Sequence, residues 1–469
     1  KAEAPDWQDV VTTEPKGYHY DANTNTAEIS TAEGLVWWAK TNSKAKAVLT
    51  ADIDLGAYKW KPVQATNFDG QGHVISNGHI IEPQAVGTGL ISELATWDPN
   101  NKIENLGLDH FYVKGRGGST GALIGQLREA TVRNCFVTNS SVDGDDNTGG
   151  LIGIAMGGSV VNCYVNVHSV GARWASLMVG SSSNTIMRNC YAAGSFRQRA
   201  FCYNGGVMAY GDGGVVANSY SVKMPMGVIG HPGTCDISDT ATVVRTDEGI
   251  LLMHPVIFDE QPVTDLVSAL NAWVAQTNDA AYNTWTADQN GVNDGYPVFG
   301  AKYVVECLNV TDVVVENVKN GNKVDVNVTW TDNGNAGKWK LRYRQYDTPE
   351  AKYTYVETSS KSATIQDLPL GKVYEFNVRA IDSNGHQSGW SETQYKLVDL
   401  PYWTDAVTSQ PAGYTEDAAG NVAISSAEGL AWFAAKVRGL HGQTARAYEG
   451  KTVKLTADID LKGWRWNPS

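Results

Sequence analysis

Hydrolases and lyases need side chains in fixed sets: two carboxylates on one face, a carboxylate-bound cation beside Arg or Lys, or a nucleophile with its base. The 469 residues offer few candidates for such sets. Asp143, Asp145 and Asp146 share a Gly-rich loop, and Asp288-Gln289-Asn290-Gly291 with Asp294 forms a second oxygen-rich turn. Either could hold Ca²⁺, but neither has the ligand spacing of the EF-hand loop, and acidic turns are commonly only solvated. His73, His79, His110 and His168 are scattered, with no His-x-x-x-His pair to support a metalloprotease. His231-Pro232-Gly233-Thr234-Cys235 sets a thiol near an imidazole, but sequence proximity is poor ground for a nucleophile–base pair. No catalytic residue, metal or cofactor is expected.

What the sequence does repeat is a short unit. Asn77, Asn105, Asn134, Asn162, Asn189 and Asn218 fall 28, 29, 28, 27 and 29 residues apart. A near-constant period with strand-like apolar runs and Gly-rich turns predicts one coil of a parallel β-helix per repeat, about six coils in all. Asn suits a tight bend because it tolerates the left-handed conformation, and its amide both donates to and accepts from the Asn of the next coil. Cys135, Cys163 and Cys190 follow the asparagines and should form a buried ladder of free thiols, about 5 Å from coil to coil. The next residues, Phe136, Tyr164, Tyr191 and Tyr220, should then point outward as a column of rings. Such a column could bind a sugar or a protein, or it could pack beneath a loop and stiffen the sheet.

A second unit recurs between the asparagines: Gly89-Leu90-Ile91, Ala122-Leu123-Ile124-Gly125, Gly150-Leu151-Ile152-Gly153, Ser176-Leu177-Met178 and Gly206-Val207-Met208. Together with Val161-Asn162-Cys163-Tyr164, this resembles the GLUG-motif repeats of bacterial surface adhesins and of the non-catalytic regions of some secreted proteases. The resemblance spans roughly residues 85–225 and implies the fold more than any activity. Phe68-Asp69-Gly70-Gln71-Gly72-His73 is similar to the first coil of many extracellular β-helices. Ser30-Thr31-Ala32-Glu33 opens a short amphipathic helix over Gly34–Lys40 that should cover one end of the stack, and the spacing of Leu266, Val267, Leu270, Trp273 and Val274 predicts a second helix as the far cap.

Three modules are expected: a helix-capped β-helix over 1–300, an antiparallel sandwich over 301–398, and the start of another β-helix over 399–469. Alternating Val324–Trp330 and Lys340–Arg344, then Tyr374–Ala380 and Gly389-Trp390-Ser391, resemble a fibronectin type III domain with Tyr374 as its tyrosine corner. No Arg-Gly-Asp triplet supports integrin binding. Ile424-Ser425-Ser426-Ala427-Glu428-Gly429-Leu430 then repeats Ile29–Leu35, and Leu455–Leu461 repeats Leu49–Leu55. The expectation is that the natural protein continues into a second Asn-ladder β-helix. Without that stack, Trp432, Phe433, Leu455, Ile459 and Leu461 would be left bare, and residues 402–469 would rest on a borrowed surface, by self-association or on the first domain.

A formal charge of −13 with no Lys/Arg block disfavours nucleic acid, and no apolar run spans a bilayer. The expectation is a non-catalytic, adhesin-like binding protein, bacterial and extracellular or at the cell surface, recognising a glycan or a host surface protein. The alternatives are a carbohydrate-active enzyme on the same fold, and a spacer within a larger secreted enzyme.

Overall fold

The computed structural model describes residues 5–466 except 57, 83–84, 95, 200–202, 306, 322, 335, 347, 349–351, 384 and 462–463. Cys202, Asn467 and Pro468 therefore lie outside the described residues. The chain forms two compact units, Lys1–Val304 and Val305–Ser469.

The first unit is a parallel β-helix. One face stacks eight parallel strands in the order Ile53–Asp54, Val74–Ser76, Gly107–Asp109, Phe136–Asp143, Tyr164–Gly171, Tyr191–Gln198, Tyr220–Val222 and Ala241–Thr246. The stack is thus longer than the six coils expected, because rungs such as Ile53–Asp54 and Ala241–Thr246 lack the Asn-Cys signature. Ile75, Leu108, Val137, Val165 and Ala192 occupy one register on this face and are buried. Two further sheets complete the coils, one of them present in five coils only among the described residues. The Gly-Leu-Ile-Gly unit lines the corner between them, with Leu90, Leu123, Leu151 and Leu177 buried. Its final glycine is a packing requirement: a Cβ on Gly153 would lie 2.6 Å from the Gly125 carbonyl oxygen and from the Thr120 nitrogen. Gly180 is next in register, so this glycine persists in the copy that lacks the first one.

Helix Ala32–Thr41 forms as the sequence predicts, with Thr31 capping it through the Gly34 N–H at 3.1 Å. Trp38 is buried and donates to the Ala45 carbonyl. Helix Leu266–Thr277, capped by Asp265, also forms, but it is not a far cap. It lies along the flank of the stack, in one core cluster with Tyr164, Tyr191 and Tyr220. After the last parallel rung, Gly249–Phe258 and Gln261–Asp265 continue the sheet in antiparallel fashion. The chain then returns along the outside through Asn283–Thr286 and Val298–Lys302.

In the second unit, Thr311–Asn320, Lys323–Thr331 and Ser362–Ile365 form one antiparallel sheet. Thr354–Thr358, Ala336–Gln345, Lys372–Asp382 and Gln394–Val398 form another. Val326, Val328, Leu341, Phe376 and Val378 fill the space between them, and Tyr374 is buried in the same core. This is the expected sandwich. Residues 403–466 have a separate core around Trp403, Tyr414, Ile424, Ala431 and Trp432. Trp432 is therefore buried within its own module, and Phe433 packs on Tyr448, contrary to the bare face expected of them. Leu455 is bare as expected: it is 59% exposed, whereas its counterpart Leu49 is fully buried. Strand Lys46–Leu49 is paired on both edges, and Val453–Leu455 pairs only with Val422–Ile424 among the described residues.

Candidate functional site

The asparagine corner works as the sequence implies, with one correction. All six asparagines have positive φ, between 47° and 58°. Asn134 donates to Asn105 Oδ1 at 2.9 Å, Asn162 to Asn134 at 2.9 Å and Asn189 to Asn162 at 2.7 Å. Asn77 is not part of this ladder. Ser76 aligns with Asp109, so Asn77 opposes His110 at the following corner, and its 28-residue spacing from Asn105 is coincidental. The residue that starts the ladder is Asp69, whose Oδ1 accepts from Asn105 at 3.1 Å. At the other end Asn218 keeps the bend, but the ladder of amide bonds stops at Asn189, whose buried Oδ1 has no partner.

The second amide proton of each central rung points outward and holds the returning chain. Asn134 donates to the Ala281 carbonyl at 2.7 Å, Asn162 to Asn283 at 3.1 Å and Asn189 to Leu270 at 3.1 Å. The Trp285 indole donates back to Asn162 Oδ1 at 2.8 Å, and Lys302 Nζ donates to Asn105 Oδ1 at 2.8 Å. The ladder is therefore both a corner and a docking rail.

The ring column also forms. Phe136, Tyr164, Tyr191 and Tyr220 share one register, with Phe136 and Tyr164 stacked at 4.9 Å and Tyr164 and Tyr191 at 5.2 Å. As a surface for binding it is corrected: Tyr164, Tyr191 and Tyr220 are buried beneath the returning chain. Trp285 and Phe299 pack against Tyr164, and the Tyr191 hydroxyl donates to the Pro297 carbonyl and accepts from Asn293. Burial pushes the Tyr164 and Tyr191 phenols far above their ordinary value, and nearby negative charges add to the shift. Only Phe136 is half-buried.

Phe136 is where the column stops. The preceding coil has Gly107 in that register, and a Cβ there would lie 2.2 Å from the Phe136 ring. The Phe136 ring thus leans over Gly107, and beside it a cleft of about 650 Å³ opens between the flank and the returning chain, a volume usual for ligand sites. Phe136, Phe299, Val74 and Val298 give it apolar faces, and Gln71, Thr138, Asp109 and Lys302 are among its polar groups. Asp109 is the one carboxylate among the described lining residues. Burial works to raise its pKa, but hydrogen bonds from Asn139, His110 and Thr138 outweigh burial and hold it below the ordinary value.

The other candidates are not assembled for chemistry. Asp143 and Asp145 both pair with Arg116 and Arg199, and Asp146 pairs with Arg173. Asp288 closes its own turn by accepting the N–H groups of Val292, Asn293 and Gly295. The Cys235 thiol faces the Gly213 carbonyl, and burial, with Asp212 and Asp236 adding, raises its pKa, the opposite of nucleophile activation. Cys135, Cys163 and Cys190 form the buried free-thiol ladder. The expectation that the chain has no Gly-x-Ser-x-Gly elbow is corrected: Gly117-Gly118-Ser119-Thr120-Gly121 has the spacing of a hydrolase nucleophile elbow. Ser119 lies instead in a buried strand of the coil, where its hydroxyl accepts from Asn147.

No protein-family model matches the chain, and no curated protein matches it. Among solved structures, a "putative immunoglobulin A1 protease" of Bacteroides ovatus is 17% identical, with a TM-score of 0.41 over 58% of this chain and 91% of its own. An Fn3-like protein of Clostridium thermocellum is 18% identical, with a TM-score of 0.18 over 20% of this chain and 98% of its own. A myokine structure is 21% identical, with a TM-score of 0.18 over 20% of this chain and 99% of its own. None of these likenesses bears on activity.

Proposed function

We propose that this chain is a non-catalytic binding protein, secreted or at a bacterial cell surface, that holds a glycan in the cleft beside Phe136. The carrying observation is the composition of that cleft: ring faces from Phe136 and Phe299 beside amide, hydroxyl, carboxylate and ammonium groups. Sugars present C–H faces and hydroxyl edges, so a mixture of ring faces and convergent polar groups suits them. A lone carboxylate, already committed to three hydrogen bonds, favours holding a sugar over cleaving it, since glycoside hydrolysis ordinarily takes two. The resemblance of Gly150-Leu151-Ile152-Gly153 to adhesin repeats agrees with this reading.

The test is a glycan array run beside a polysaccharide-degradation assay, on wild type and Phe136→Ala. Captured glycans, at least tenfold weaker binding by the variant and no degradation are expected. Binding unchanged by Phe136→Ala, capture of host protein but no glycan, or release of sugar fragments would each overturn the proposal.

A further inference from the structure

A second groove, of about 660 Å³, adjoins the cleft on the same flank. The two meet at Asp109. Its Oδ1 accepts from Thr138, which lines the cleft, and from Asn139, which lines the groove; its Oδ2 contacts His110, also in the groove. The turn held closed by Asp288 borders both, with Val292 and Asn293 on the cleft side and Asp294 on the groove side.

A register ladder runs through the groove, with Tyr112, Ser141, His168 and Ser195 lining it and His79 continuing the line beyond it. His79 opposes Tyr112, Tyr112 opposes Ser141, Ser141 opposes His168, and His168 opposes Ser195. Five successive coils thus present an imidazole, a phenol, a hydroxyl, an imidazole and a hydroxyl along a line parallel to the helix axis, about 4.8 Å apart. Tyr112 and His168 are exposed, and Ser141 is half-buried. The His79 and Tyr112 rings meet edge to face at 5.3 Å, and the His168 ring nitrogen lies 2.7 Å from Ser195 Oγ. No member of the line is a carboxylate, Lys or Arg. Hydrogen-bonding groups repeating at a fixed step match a ligand that itself repeats, and their chemistry matches hydroxyls.

Resting on the reading of the cleft given above, we propose that cleft and ladder form one extended site for the interior of a linear, neutral polysaccharide. A disaccharide unit fills the cleft beside Phe136, and the sugars beyond it run along Tyr112, Ser141 and His168. The turn at 292–294, which accepts from Asn139 and Asn166, forms the wall shared by cleft and groove.

The test is calorimetric titration of xylo-, gluco- and manno-oligosaccharides from disaccharide to octasaccharide against wild type and the double variant Tyr112→Ala/His168→Ala. Both side chains are exposed, and circular dichroism and Tm confirm that the variant is folded. In wild type, affinity is expected to rise at least tenfold from the shortest to the longest member of a series that binds. The double variant should bind the longest member no better than the shortest and leave disaccharide affinity unchanged. Equal affinity at every length, or a length dependence that survives in the variant, overturns the extended site while leaving the cleft reading intact. Failure of every series to bind wild type overturns both.

Discussion

The most exacting consequence of the structure concerns Asn162. It is fully buried at φ 54°, donates to Asn134 Oδ1 and the Asn283 carbonyl, and accepts from Asn189 and the Trp285 indole. In Asn162→Ala the Trp285 N–H and one Asn189 proton lose their acceptor in a site closed to water. A buried donor left unpaired costs about 1–3 kcal/mol. Alanine in the left-handed region adds about 1–2 kcal/mol. With two donors orphaned, the expected loss is therefore about 3–8 kcal/mol, more than a solvent-facing corner amide would give. Asn162→Gly removes the same bonds but tolerates the bend, so it should be about 1 kcal/mol less destabilising than alanine. Urea unfolding followed by tryptophan fluorescence measures both, and hydrogen exchange shows where the loss falls: protection should drop first across 266–303. A change within about 0.5 kcal/mol of wild type, the size of an ordinary surface substitution, would refute the docking role. Equal losses for alanine and glycine would refute the strain contribution alone.

Asp69 starts the ladder, and its pKa is held below the ordinary 3.8: burial opposes this, but bonds from Asn105 and Gln71 and the charge of Lys46 prevail. A carboxyl depressed in the folded state contributes stability above its unfolded value and loses it as pH falls through the folded value. Wild type should therefore lose stability below about pH 3.8 more steeply than Asp69→Asn, and parallel acid-unfolding curves would refute this. Separately, bare Leu455, with Ile459 and Leu461 beside it, lines an open apolar groove next to a strand paired on one edge. Sedimentation should show concentration-dependent self-association that Leu455→Asp abolishes; a monomer at every concentration would refute it.

The β-helix was legible because its corner chemistry repeats. Asn at positive φ and buried Cys one residue later each have a reason to recur, and each coil reuses it. The same regularity misled at Asn77, where a different corner also needs a left-handed residue. Only pairing with a neighbouring coil separates the two, because one residue of register shift changes which corner a side chain occupies. The first coils have little Asn-Cys signature, which is also why the stack was counted short.

The outward direction of the column is legible in the sequence, and so is packing beneath a loop as one of its two possible fates; which of the two holds is not, for a physical reason. Alternation along a strand says which face a ring points to, not what lies over that face. The clue lay downstream: Trp273, Trp285, Tyr296 and Phe299 concentrate aromatic surface in a segment with no Asn-ladder coil of its own to cover. Such a segment needs an apolar partner, and the column was the one long apolar stripe left without one. That segment buries Tyr164, Tyr191 and Tyr220 but covers Phe136 only in part, and Lys302 at its end bridges to Asn105 of the preceding coil, so the cleft lies beneath the end of the cover. The site is thus a joint product of two segments far apart in sequence, and no local pattern in either one could have disclosed it.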